Sequence, residues 1–171
     1  MARQLWLLRH AEAEPHGARE DSQRRLTERG ERQARAAGVA LARLGVCFEL
    51  VLFSPKVRAR QTAELAAETW PDDATLLSHE PLAGDFGGPQ ALDACAALGA
   101  EGRLLLVGHE PDMSRVLADL TGVRADVKKG GAAAVRLEGA GGQLLVLVRP
   151  RELAAVAEPV LGAVAAPSDG E

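Results

Sequence analysis

Short apolar runs alternate along the chain with segments of helical periodicity. The three clearest runs are Gln4–Leu8, Glu49–Phe53 and Arg103–Val107. Each run is too short for a helix and is apolar at nearly every position, which is typical of strands covered on both faces. We therefore predict three buried strands of a mainly parallel sheet.

The segments between these runs carry the end signals of helices. Thr27 is a suitable N-cap and Gly45 a suitable stop for the first helix. Ser54 and Pro55 have the pattern of an N-cap followed by a proline at the first helical position, and Gly122 is suited to end the last helix. The predicted helices cover residues 27–44, 54–68, 89–98 and 111–121.

The alternation of strand and helix predicts a three-layer α/β fold with helices on both faces of the sheet. Residues 132–137 and 143–148 flank a glycine-rich turn, which predicts a C-terminal β-hairpin that adds an antiparallel strand. No linker divides the 171 residues, so we predict a single domain over 1–171 with a frayed tail from about residue 166. Residues 70–88 show no period and are predicted to be a long functional loop.

Composition and charge exclude several classes of function. The net charge of −4 and the 3% content of aromatic residues oppose nucleic-acid binding, which needs a basic face and stacking side chains. No apolar run approaches the roughly 18 residues of a membrane span, and the N-terminus lacks the pattern of a secretory signal. We therefore expect a cytoplasmic protein that binds neither membrane nor nucleic acid, and we favour a monomer over an oligomer.

Polar side chains with phosphate chemistry follow each of the three apolar runs. Arg9 and His10 follow the first run, Ser54 follows the second with Arg58 one helical turn later, and His109 follows the third after one glycine. Ligands of open α/β sheets bind beyond the carboxyl ends of the strands, so these side chains are predicted to converge. Taken singly, each has an ordinary explanation as a solvated or capping residue, whereas their convergence indicates a site for a polyanion.

Phosphoryl transfer is the chemistry that suits this set. Guanidinium groups bind phosphate oxygens in pairs, and a neutral imidazole is a competent nucleophile toward phosphorus. The competing interpretation is a metal site within residues 10–16, which contain two histidines and two glutamates. Pro15 interrupts any helical spacing there, and neighbouring arginines would repel a cation. We predict no metal and no other cofactor.

Four stretches resemble the histidine phosphatase superfamily, the phosphoglycerate-mutase-like proteins, and within it the SixA branch of small bacterial phosphohistidine phosphatases. The order and spacing of these stretches agree from residue 3 to about 148. Ala11 stands where the family usually has glycine, so its backbone must avoid conformations that only glycine tolerates. The four stretches are Leu8–His10, Arg25–Gly30, Ser54–Thr62 and Val107–Pro111.

The resemblance implies roles for individual residues. His10 is similar to the nucleophile that becomes phosphohistidine, His109 to a second catalytic residue that also binds phosphate, and Arg9 and Arg58 to further phosphate ligands. Another phosphate-pocket arginine is expected before Leu-Thr, where Arg24 and Arg25 compete.

The spacing of the family's Arg-x-Leu-Thr pattern favours Arg24. The family's general acid is expected in the irregular middle segment, where Glu80 is the first candidate and Asp85 the second.

Three functions fit these residues. The resemblance implies a phosphatase of phosphohistidine on a partner protein, and a chain this short offers little material for a lid over a small substrate. A phosphatase or mutase that acts on small phosphate esters would share the mechanism. A non-catalytic module that binds phosphorylated partners is the third possibility, although a binder has no need of a nucleophile.

Overall fold

The computed structural model describes residues 2–71 and 74–159, which form one six-stranded sheet with helices on both faces. The strands are β1 (Gln4–Arg9), β2 (Leu50–Phe53), β3 (Thr75–Ser78), β4 (Arg103–Gly108), β5 (Ala132–Glu138) and β6 (Gly141–Val148). The helices are α1 (Glu28–Arg43), α2 (Val57–Ala67), α3 (Gly88–Cys95), α4 (Asp112–Thr121) and α5 (Pro150–Ala157). The strand order is β3-β2-β4-β1-β5-β6, with β1 to β4 mutually parallel and β5 antiparallel to both of its neighbours. The predicted three-layer fold and its antiparallel hairpin are confirmed.

Alternating side chains of β1 supply two separate apolar layers. Leu5 and Leu7 pack with Met113 and Leu117 on the face covered by α3 and α4. The intervening Trp6 and Leu8 join the layer on the opposite face, which α1, α2 and α5 cover. Both faces of the central strands are therefore buried, which explains why their sequences are apolar at almost every position.

The helix ends agree with the sequence at α1 and α4 and differ at α2. The hydroxyl of Thr27 accepts a hydrogen bond from Gly30 N, and Gly122 ends α4 with a φ of 73°. Helix α2 begins at Val57 with Lys56 as its N-cap, so the predicted N-cap at Ser54 is wrong. Within the described ranges, no helix is long and apolar enough to cross a membrane.

A strand, a 3₁₀ turn and a helix lie in segments for which the sequence predicted no structure. The predicted loop over residues 70–88 contains β3 and a 3₁₀ turn at Glu80–Ala83. Strand β3 has only four residues, and Leu77 within it is exposed, so its sequence lacks the continuous apolarity of the other parallel strands. Helix α5 follows the hairpin directly. The predicted frayed tail from about residue 166 lies outside the described residues.

The register of the parallel strands aligns their carboxyl ends. Arg9 of β1 pairs with Gly108 of β4, and Phe53 of β2 pairs with Val107. Because β4 lies between β1 and β2, the residue that follows β4 is flanked by those that follow the other two. The backbone N–H groups of His10 and Ser54 donate to Gly108 O and Val107 O at 2.9 and 3.0 Å. The sheet itself therefore places His10, Ser54 and His109 side by side.

Helices α1 and α2 approach each other closely at Gly38, which gives a prediction for stability. A Cβ atom at Gly38 would lie 1.9 Å from the carbonyl oxygen of Ala66. Alanine is about 1 kcal/mol more favourable than glycine inside a helix. Overpacking of this kind, however, lowers stability by roughly 1–3 kcal/mol, and by more when the backbone must move. We expect Gly38→Ala to lower the free energy of unfolding in urea denaturation. Gly99→Ala, where nothing lies within 4 Å, is the matched control, and equal stabilities of the two variants would contradict this packing.

Candidate active site

The predicted phosphate residues line one cavity of about 240 Å³ at the carboxyl ends of the parallel strands. The wall contains the five predicted residues Arg9, His10, Arg24, Arg58 and His109. They come from the ends of β1 and β4, from the first turn of α2 and from the segment between β1 and α1. The convergence predicted from the sequence is therefore present in the structure.

His10 is buried and held in one tautomer by its neighbour along the chain. Its Nδ1 lies 2.7 Å from the carbonyl oxygen of Ala11. A carbonyl only accepts, so Nδ1 carries the proton and Nε2 keeps its lone pair. The pKa of His10 is lowered to about 3, chiefly by burial and in addition by the charges of Arg58 and Arg9, whereas the hydrogen bond to Ala11 opposes the shift. His10 is therefore neutral near pH 7, and its Nε2 is an available nucleophile.

His109 lies next to His10, with 5.2 Å between the ring centroids. Its Nε2 is 2.7 Å from the hydroxyl oxygen of Ser54, whose side chain is fully buried. The pKa of His109 is lowered to about 3, chiefly by burial, and the nearness of a second titratable ring, His10, and the charge of Arg58 act in the same direction. Both rings are thus uncharged at neutral pH.

Buried side-chain polar atoms without partners occur, in the described part of the chain, only on residues that line this cavity. Three buried side-chain atoms there lack a hydrogen-bond partner, namely Arg9 Nε, Arg58 Nε and His109 Nδ1. An unpaired buried donor costs free energy, so such groups normally mark a position where a ligand supplies the acceptor. All three belong to residues of the cavity wall, and the two guanidinium donors among them suit a ligand with several acceptor oxygens, as a phosphoryl group has.

Asp21, on the 3₁₀ turn Asp21–Gln23, gathers the cations of the site. Its carboxylate accepts from Arg24 Nε and NH2 at 3.0 and 2.8 Å, from Lys56 Nζ at 3.1 Å and from Arg58 NH2 at 3.3 Å. Partial burial opposes ionisation of Asp21, but the hydrogen bonds from Arg24 and Lys56 and the charge of Arg58 hold its pKa well below the usual range. The structure also separates the two competing arginines, because Arg24 is buried in the wall and Arg25 is exposed.

Comparison with known proteins identifies the family. The model of the histidine phosphatase superfamily (branch 1) matches residues 5–83, which include His10 and Arg58. An uncharacterized protein of Picosynechococcus is 34% identical over 140 residues, which cover 78% of this chain and 84% of that protein. The chain belongs to the histidine phosphatase superfamily.

Solved structures agree with this assignment. The protein histidine phosphatase SixA in complex with tungstate superimposes with a TM-score of 0.75 and 27% identity, covering 88% of this chain and 99% of that one. Phosphoserine phosphatase of Entamoeba histolytica in complex with phosphoserine gives a TM-score of 0.70, with coverage of 89% and 100%. Its identity is 15%, so this second likeness shows the fold alone. The family supports a histidine-dependent phosphatase that binds a phosphorylated substrate.

The predicted general acids of this histidine phosphatase lie outside the cavity wall. Glu80 begins the 3₁₀ turn after β3 and is exposed, and it is not among the residues that line the cavity. Asp85 has a φ of 57° and a 99% exposed side chain, which pairs with Arg115 at 3.0 Å. The geometry brings neither carboxyl to the wall in this state, and the role of Glu80 stays a prediction.

Sequence reasoning missed other residues of the cavity wall. Lys129 precedes β5 and contributes positive charge near His10. Glu110 precedes Pro111 and also lines the cavity; burial lowers the pKa of Arg9, and the charge of Glu110 opposes that shift. Ala11 is fully buried without a positive φ, so alanine is accommodated where the family usually has glycine. No group of three or more His, Cys, Asp or Glu side chains suited to a metal ion occurs in the described ranges.

The buried neutral histidines give a prediction for stability against pH. An unfolded chain protonates histidine near pH 6.5, whereas folded His10 has its pKa lowered to about 3. Below about pH 6.5 the unfolded state therefore binds protons that the folded state does not, and stability falls progressively toward pH 3. We expect the decrease in the free energy of unfolding between pH 7.5 and pH 4.5, measured by urea denaturation, to be smaller for His10→Asn than for the wild type. The same substitution at His16, with its 88% exposed side chain, is the control, and an unchanged pH dependence in His10→Asn would contradict the buried neutral state.

Proposed function

We propose that this histidine phosphatase hydrolyses phosphohistidine on a partner protein, in the manner of the SixA-type enzymes that the sequence resembles. The observation that carries the proposal is that the carboxyl groups in the cavity wall already accept hydrogen bonds from other groups. Few proton donors are therefore available there to protonate the leaving oxygen of an ester. The reaction has three parts, which are the binding of the phosphoryl group, the attack by His10 and the departure of the leaving group. The contacts of the cavity support each of them.

The unpaired donors suit the phosphoryl oxygens. Arg9 Nε, Arg58 Nε and His109 Nδ1 are buried, lack partners among the described residues and belong to one cavity wall. Arg58 is the second residue of α2, so free N–H groups at the start of that helix also favour an anion. Fixed donors of this kind stabilise the charge that spreads over the phosphoryl oxygens during transfer.

His10 is the proposed nucleophile. Its Nδ1 is committed to Ala11 O, so the Nε2 lone pair attacks phosphorus as the bond between phosphorus and the leaving atom breaks. The leaving atom keeps the electron pair of that bond and takes up a proton. Water then attacks the phosphorus of phosphorylated His10, so that the N–P bond breaks, Nε2 regains its lone pair and inorganic phosphate departs with a proton lost to solvent.

The state of the carboxyl groups in the wall favours a leaving group that does not depend on a protein acid for its proton. Glu14 accepts from the backbone N–H of Arg25 and from Arg19, and these contacts lower its pKa. Glu110 accepts from the backbone N–H and the hydroxyl of Ser114. A carboxyl whose pKa is lowered in this way, as that of Glu14 is, is a poor proton donor, and the carboxylate oxygens of Glu110 are occupied by Ser114. An ester oxygen needs an acid as it leaves, whereas the nitrogen of phosphohistidine is more readily protonated by solvent.

The size of the cavity favours a macromolecular substrate. Its volume of about 240 Å³ lies below the range of about 300–1,000 Å³ that is usual for sites enclosing a whole small molecule. The cavity therefore accommodates a phosphoryl group and the atoms next to it, and the remainder of the substrate lies outside. A phosphorylated side chain on a protein surface meets this requirement.

Replacement of His10 tests the nucleophile. We expect His10→Asn to retain less than a few per cent of wild-type kcat/KM and to fold normally. Wild-type enzyme quenched during turnover of a ³²P-labelled substrate should carry a label that is lost in acid and retained in base, as expected of a phosphoramidate. His79→Asn, outside the cavity wall, is the matched control. A base-labile, acid-stable adduct would instead indicate an acyl phosphate and reject His10.

The choice of substrate is tested with a phosphohistidine-containing protein and with phosphoserine. We expect wild-type kcat/KM to be at least tenfold higher for phosphohistidine, because the ester demands an acid. Glu80→Gln should lose more activity on phosphoserine than on phosphohistidine, with Glu64→Gln on the exposed face of α2 as the control. A clear wild-type preference for the ester would reject the proposed substrate and favour a phosphatase of small phosphate esters.

A further inference from the structure

The two ring nitrogens of His109 lie in different surroundings. Nε2 is 2.7 Å from Ser54 Oγ, while Nδ1 is buried and has no partner among the described residues. A neutral imidazole carries one proton, so only one of these nitrogens donates. Whether His109 offers a donor or a lone pair at Nδ1 therefore depends on the direction of the hydrogen bond with Ser54.

The contacts of Ser54 determine this direction. Its side chain is fully buried, so its hydroxyl proton requires an acceptor within the protein. Besides His109, Ser54 Oγ contacts the backbone N–H of Lys56 at 3.3 Å, and that group only donates. Among the described contacts, the acceptor for the hydroxyl proton of Ser54 is thus His109 Nε2. With Nε2 accepting, the proton of the neutral ring resides on Nδ1.

The start of α2 is consistent with this use of Ser54. The serine-proline pair has the pattern of a helix N-cap, yet α2 begins two residues beyond Pro55 and its N-cap, Lys56, makes no side-chain capping bond. A side-chain cap is worth about 1 kcal/mol to a helix. The hydroxyl oxygen of Ser54 accepts from the backbone N–H of Lys56, and its proton is available to His109, so this side chain serves the site as well as the start of the helix.

We propose that Ser54 is a positioning residue that fixes His109 as the Nδ1–H tautomer, so that an uncharged His109 donates a hydrogen bond to a phosphoryl oxygen. This inference rests on the proposed phosphatase function. His10 is held in the complementary state, because Ala11 O takes the proton of its Nδ1 and leaves a lone pair at Nε2. The tautomer of each histidine is thus set by a different partner, one for attack at phosphorus and the other for donation to oxygen.

This assignment accounts for the unpaired Nδ1. A donor there supplies the third of the three buried N–H groups that face no protein acceptor, together with those of Arg9 and Arg58. The opposite tautomer would present a lone pair to the phosphoryl oxygens and repel them. The identity of residue 54 therefore affects the strength with which the cavity binds the charge of the transition state.

The experiment combines a spectroscopic measurement with kinetics. In ¹⁵N-labelled wild-type protein at pH 7.5, two-dimensional ¹H–¹⁵N spectra should show His109 with a protonated Nδ1 and an unprotonated Nε2. Ser54→Ala should shift the ring toward the Nε2–H tautomer, lower kcat by at least tenfold with a smaller change in KM, and weaken binding of inorganic phosphate. Ser54→Thr, which keeps the hydroxyl, should restore the wild-type tautomer and part of the activity. Thr121→Val, which removes a hydroxyl bonded to Leu117 O, is the control.

The outcomes separate this inference from the proposed function. The tautomer is measured without substrate, so an Nε2–H ring in the wild type overturns the inference whatever the activity. Unchanged kcat in a folded Ser54→Ala variant, with an active wild type, overturns the role of Ser54 and leaves the phosphatase proposal intact. A wild type with the Nδ1–H tautomer and no phosphatase activity overturns the proposed function; weaker phosphate binding by Ser54→Ala would then still support the positioning role.

Discussion

Arg24, Lys56 and Arg58 converge on the single carboxylate of Asp21, and this cluster allows like charges to lie close together in a partly dry cavity. Guanidinium groups cannot shed their charge, so their mutual repulsion must be offset by a nearby anion. The side chains of Arg24 and Arg58 are 7% and 5% exposed, whereas that of Asp21 is 47% exposed. The anion thus stays hydrated while it anchors two buried cations. Burial of the arginines, and with it the shape of the cavity, depends on this short turn.

Burial in the cavity, together with its positive charge, determines the protonation state of the two histidines. Burial and the neighbouring arginines lower the pKa of His10 and of His109 to about 3, so neither ring competes with the substrate as a second buried charge. The register of β2, β4 and β1 brings the two rings together. Each ring then has a different hydrogen-bond partner. A backbone carbonyl holds one and a hydroxyl holds the other. Strand pairing therefore supplies proximity, and the hydrogen-bond partner of each ring supplies its chemistry.

The parts of the molecule that the sequence predicted are those whose signals are local. Continuous apolarity predicted β1, β2 and β4, and the polar residues directly after them predicted the cavity. Strand β3 was missed because its four residues owe their conformation to pairing with β2, and Leu77 is exposed. Asp21 was missed because Lys56 and Arg58 lie 35 and 37 residues away along the chain. The helix start predicted at Ser54 was wrong because α2 begins at Val57, and the local signal does not reveal that Ser54 contacts His109 from another strand end.

Asp21 and an incoming phosphoryl group both bind the arginines, but the number of hydrogen-bond donors shows that the two need not compete. A guanidinium has five N–H donors. Arg58 gives NH1 and NH2 to Asp21 and leaves Nε unpaired, while Arg24 retains a second hydrogen on each terminal nitrogen. An incoming anion can therefore be bound without breaking the ion pairs that orient its ligands. Little reorganisation is then required as charge develops on the phosphoryl oxygens, which is the condition under which fixed donors accelerate a reaction most. Asp21 accordingly prepares the cavity for an anion rather than occupying its place.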